Sequence, residues 1–116
     1  MQCLTFLQTL LTMEAMAEYT DTARARVAAG DTEYQNVLIE AERIEELLST
    51  GTLVIEPAPV PALLTEALRA FSSKIRARIE AGETVLRETL DEVETVRRYL
   101  DAGEIRIEPA PISTAA

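Results

Sequence analysis

The sequence predicts a mainly α-helical domain: a helical hairpin that occurs twice, giving four main helices, with a short β-strand ending each repeat and a pseudo-two-fold axis between the repeats. Three observations predict it. The chain aligns with itself when displaced by 52 residues. Apolar residues recur three or four apart through four segments, the spacing of one helical face. Glycines stand where those stripes stop.

The self-alignment sets the frame. Residues 11–59 fall on residues 63–111 without a gap, and 19 of the 49 pairs are identical. Leu11 meets Leu63, Glu14 meets Glu66, and Arg24-Ala-Arg26 meets Arg76-Ala-Arg78. Gly30 meets Gly82, and the pentapeptide Ile55–Pro59 meets its copy at Ile107–Pro111. Two copies are too few for a solenoid, so two units packed face to face are expected. The 116 residues form one domain. It comprises a repeat over 1–59, a repeat over 60–111 and a tail over 112–116.

The first helix is expected from the stripe Leu4, Leu7, Leu11, Met16, Tyr19, Ala23 and Val27. Its copy is expected from Leu64, Leu68, Phe71, Ile75 and Ile79. Gly30 and Gly82 stop these helices. Thr32 with Gln35 matches a capping box, and Thr84 can cap alone. Thr32, Thr84 or an acidic neighbour therefore opens the second helix of each repeat. An unbroken helix through the glycine is the other reading, since one glycine costs only about 1 kcal/mol. The second helices carry Tyr34, Val37, Leu38, Ala41, Ile44 and Leu48, and Leu86, Leu90, Val93, Val96 and Leu100, and end at Gly51 and Gly103. In Glu104-Ile-Arg-Ile-Glu108 apolar and charged residues alternate, which describes a strand with one wet face. Pro57 and Pro109 end the strands because proline has no ladder donor. The two strands either pair with each other or extend a sheet in a neighbouring chain.

Composition narrows the function. The chain is 47% hydrophobic and 27% charged, with a net charge of −9, which fits neither a disordered nor a membrane-spanning chain. That charge opposes contact with nucleic acid or anionic membranes. The basic run Lys74–Arg78 is diluted by Glu80 and Glu83. The repeated Arg-Ala-Arg is expected to pair with glutamates of the adjacent helix. Ala15-Met16-Ala17 imitates a signal-peptidase site, but it has no basic residue ahead of it and aligns with the interior of a helix in the second repeat. A cytoplasmic protein, or one within an assembled particle, is expected. Cys3 is the single cysteine, expected as a small core or interface hydrophobe.

Nothing points to catalysis. Without histidine the commonest general base and metal ligand is missing. The glutamates Glu40, Glu42, Glu45, Glu46, Glu92 and Glu94 lack the Glu-x-x-His partner that a di-metal bundle uses. They are expected on a solvated face. No cofactor, metal or small-molecule substrate is implied, and an enzyme is not expected.

The repeats differ in charge. Residues 1–59 hold three basic and ten acidic side chains, and residues 60–116 hold eight and ten. The sharpest switch sets Glu45-Glu46 against Arg97-Arg98. Surfaces of similar shape and opposite sign suit head-to-tail contact between chains. The expectation is a non-catalytic structural protein acting by protein–protein contacts, self-associating within a larger particle such as a phage. Its candidate interaction residues are Glu45, Glu46, Arg97, Arg98, the strand residues Leu53, Ile55, Ile105 and Ile107, and the uncopied extension Leu4, Phe6 and Leu7. The alternatives are an acidic inhibitor or decoy that occupies a basic groove of a partner, with Glu40, Glu42, Glu45 and Glu46 on its binding face, or a small adaptor or chaperone.

Overall fold

The computed structural model describes residues 2–109. Its first helix, α1 (Phe6–Ala28), opens with a reciprocal cap. The Gln8 amide donates to Thr5 Oγ1 and the Thr5 amide donates to Gln8 Oε1, both at 3.1 Å. This is a capping box. The one expected at Thr32 and Gln35 does not form. Instead, Thr32–Tyr34 makes a single 3-10 turn that runs into α2 (Gln35–Thr50), with no side-chain cap on either. The Thr32 carbonyl accepts the Gln35 amide, so the backbone does the work assigned to the side chain. A short strand, β1 (Thr52–Ile55), follows. The same order then repeats as α3 (Ala62–Glu80), a 3-10 turn over Thr84–Leu86, α4 (Arg87–Asp101) and β2 (Ile105–Glu108).

The hairpin turns are broken helices. Gly30 sits at φ +98°. Its amide donates to Val27 C=O at 3.1 Å and the Asp31 amide donates to Arg26 C=O at 3.0 Å. That bond pair closes a helix through a left-handed residue that only glycine adopts cheaply. Gly82 and Glu83 reproduce it with Ile79 and Arg78. Gly51 is different. It lies at φ −100°, ψ −174°, an extended conformation open to any residue. A Cβ there would lie 2.6 Å from the Glu108 carbonyl oxygen and 2.8 Å from that of Leu47. Glycine is required by the close approach of β2 and not by backbone handedness.

The strands pair with each other, within the chain. They form a two-stranded antiparallel sheet with Thr52 opposite Glu108, Leu53 opposite Ile107, Val54 opposite Arg106 and Ile55 opposite Ile105. One of the two inner pairs, Val54 and Arg106, is itself separated by the 52 residues that align the two halves. The extension before α1 adds to the free edge of β1. Cys3 bridges to Val54. The Leu4 amide donates to Leu53 C=O at 3.1 Å and the Ile55 amide donates to Gln2 C=O at 2.7 Å. The helix therefore begins two residues later than the stripe from Leu4 suggests, and Cys3 is exposed at the sheet instead of buried.

One core lies between the helices and the sheet. Leu11, Ala15 and Met16 of α1 meet Ala41, Ile44 and Leu48 of α2, Leu64, Leu68, Phe71 and Ile75 of α3, and Val93, Val96 and Leu100 of α4. Leu53, Ile105 and Leu4 close it from the sheet side. Leu7, placed on the inner stripe by its spacing, is exposed. The apolar residues at the starts of α2 and α4 are only partly covered, so the core lies toward the sheet end and the hairpin turns project from it. The described helices include none long and apolar enough to cross a membrane. The second Pro-Ala-Pro beyond Pro109 and the tail over 112–116 lie outside the described residues.

Candidate functional site

The sheet uses the repeated pentapeptide as a clamp. Leu53 and Ile105 are buried, and Ile55 and Ile107 are half-buried against the same core. The opposite face carries Arg106 between two glutamates, one from each pentapeptide. Arg106 Nε donates to Glu56 Oε1, and its Nη2 lies 3.7 Å from Glu108 Oε2. The hydrogen bond to Glu56 raises the Arg106 guanidinium pKa beyond its ordinary value. These groups are partly exposed, so the clamp fixes register more than it adds stability. All four strand residues singled out from the sequence thus line one ribbon inside the chain.

The extension divides. Leu4 is buried in the core. Phe6 is 79% exposed, Leu7 51% and Leu10 44%. These three occupy the first turns of α1 as a connected apolar patch. Phe6 and Leu7 belong to the extension expected to make contacts, although spacing alone sets Leu7 on the inner stripe, and Leu10 joins them through its place one turn further along α1.

Glu45-Glu46 and Arg97-Arg98 occupy matching places on α2 and α4, and their surroundings differ. In the second half, Arg97 Nη1 lies 3.4 Å from Glu94 Oε2 and its Nε lies 3.7 Å from Asp101 Oδ2. Arg69 of α3 reaches the same Asp101 at 3.1 Å. Glu94 also accepts from Ser72 Oγ and Arg76 Nη2, each at 2.5 Å. Burial pushes the Glu94 carboxyl up. The Ser72 and Arg76 hydrogen bonds and the arginine charges outweigh it and hold the group below the usual glutamate range. Arg98 is exposed and donates to Thr95 Oγ1 at 3.2 Å.

In the first half the counterparts of Arg69, Arg97, Arg98 and Asp101 are Ala17, Glu45, Glu46 and Ser49. The space stays open as a groove of about 620 Å³ between α1 and α2. Met13, Ala17 and Leu48 form its apolar floor, and Glu14, Glu42, Glu45 and Glu46 stand along its rim. Among the described residues no ion pair involves those four carboxylates. The divergences Ala17/Arg69 and Ser49/Asp101 are visible in the self-alignment, but only the helix packing brings them together.

Of the repeated arginines, Arg76 alone reaches the adjacent helix. Arg24 pairs with Asp21 on its own helix at 2.8 Å, and Arg78 with Glu83 at 2.6 Å. Arg26 stacks over the Tyr34 ring at 4.6 Å. A smaller cleft between α1 and α3 has an alanine floor and is bridged by the chain's own groups. Lys74 Nζ donates to Glu18 Oε1 at 2.5 Å, and Tyr19 donates to Glu66 Oε2 at 2.9 Å. Burial, together with Glu66, pushes the Tyr19 phenol up to about 12. Among the described residues no cluster of three or more acidic or cysteine side chains is placed to hold a metal ion. Comparison with family models, curated proteins and solved structures found no match to this chain.

Proposed function

We propose that this is a non-catalytic protein that acts through protein–protein contacts, as a self-associating component of a larger particle. The observation that carries the reading is the exposed triplet Phe6, Leu7 and Leu10 at the start of α1. Large apolar side chains in one exposed stretch mark contact surfaces, whereas single ones are ordinary. Burying the triplet against a second copy removes apolar surface that the isolated chain leaves in water. The head-to-tail contact drawn from Glu45-Glu46 against Arg97-Arg98 receives less support. Arg97 is already held by Glu94 and Asp101, which leaves Arg98 as the cation for such a contact.

Size-exclusion chromatography with light scattering, over a range of protein and salt concentrations, tests the reading. Apolar association predicts a mass above one chain that rises with protein concentration and persists in high salt. A single-chain mass under every condition would overturn it.

A further inference from the structure

The α1–α2 groove differs from the triplet in position, lining and implied partner. We propose that it docks a cationic amphipathic helix of a partner protein, whose apolar residues rest on Met13, Ala17 and Leu48 and whose Arg or Lys side chains reach Glu14, Glu42, Glu45 and Glu46. The floor is apolar and open between two helices, the setting in which helix-in-groove recognition operates.

The second half shows what chemistry fits this place. There Arg69 and Arg97 lie over Asp101 and Glu94, with Arg76 completing the contacts of Glu94. The helix boundaries around the hairpin turn coincide under the same displacement, since Gln35 and Arg87 both open the second helix and Ala28 and Glu80 both close the first. Equivalent positions therefore occupy equivalent places. Glu42 is the counterpart of Glu94 and has lost each of its partners. Thr20, in the place of Ser72, donates to Met16 C=O instead. Arg24, in the place of Arg76, turns to Asp21, and Arg97 is replaced by Glu45. At the positions that line the groove, the second half carries three cations, Arg69, Arg97 and Arg98, and three anions, Glu66, Glu94 and Asp101, whereas the first half carries four anions and no cation. A partner that brings guanidinium or ammonium groups supplies from outside what the second half holds within the chain. A second copy of this chain suits the groove poorly, because its net charge is −9.

The probe is a fluorescein-labelled synthetic helix of Leu and Lys, titrated with the full-length protein and read by fluorescence anisotropy. A Leu/Glu helix and a Ser/Lys peptide of equal length serve as controls. Two double variants locate the site. A17R/S49D installs the second half's own ion pair across the groove without changing net charge, and both positions are exposed. E45R/E46R writes in the arginines. Circular dichroism melts establish that each variant is folded, and Glu45→Gln with Glu46→Gln stands in for the arginine pair if that pair does not fold.

The expected result is binding of the Leu/Lys helix alone, weakened about tenfold or more by each variant, as for loss of a central docking contact. Added salt weakens it further. Binding by A17R/S49D equal to that of the original protein overturns the proposal, since attraction by overall charge would then account for it. Equal binding of the Ser/Lys peptide, or no binding of the Leu/Lys helix, overturns it as well. The self-association mass is unaffected by these outcomes.

Discussion

Glu42 and Glu94 stand at matching positions when the chain is displaced by 52 residues, and their surroundings differ. Glu94 is held by Ser72, Arg76 and Arg97, with its carboxyl lowered below the usual range. A carboxylate whose pKa is depressed on folding adds stability that is present above its unfolded value and lost as pH falls through its folded one. Glu94→Gln should therefore lower stability by about 1 kcal/mol near neutral pH. The difference should shrink as pH falls below about 4.3, the ordinary glutamate value. Urea unfolding of both proteins from pH 7 to pH 3 measures it, and a constant difference across that range would contradict the assignment. Gly51 provides a second test. Gly51→Ala is expected to cost about 1–3 kcal/mol through overpacking against the Glu108 and Leu47 carbonyls. A chemical melt no different from the original would show that the strand and helix end separate freely. The sequence marked Gly51 as a helix stop, yet its reason was illegible, because close approach between segments far apart in sequence leaves no local pattern.

The helices were legible as elements because periodicity is a local signal. Leu64, Leu68, Phe71 and Ile75 are predicted at helical spacing and are buried together. The errors fall at the ends, where backbone bonds compete with side-chain caps. Thr32 joins a 3-10 turn, while Thr5 and Gln8, carrying the same signature, make the cap. The strands were legible from Ile105 and Ile107 alternating with charge, but whether they paired within one chain was open. Ladder partners depend on how the hairpins pack, which alternation along one strand does not encode. The ribbon is small, so its hold on the core rests on few side chains. Ile105→Ala is expected to cost about 2–4 kcal/mol, a buried large-to-small change. Ile107→Ala should cost less, since that residue is half-buried. Equal losses in thermal melts of the two variants would contradict the burial pattern.

At the scale of the whole molecule, the described chain measures 53 × 38 × 26 Å, with its core toward the sheet and its hairpin turns projecting. The two halves share their order of elements and differ in what they expose. The second neutralises its helix–helix seam with arginines, and the first leaves its seam acidic and open. The charge difference was legible in the sequence, while the groove that gathers it depended on helix packing. The apolar start of α1 has no copy in the second half, and it carries the account of function. Sedimentation equilibrium of the original protein beside Phe6→Ser with Leu10→Ser tests that account most directly. The account predicts a concentration-dependent mass above one chain for the original and a single-chain mass for the folded variant. Identical single-chain masses for both, at every concentration, would contradict it.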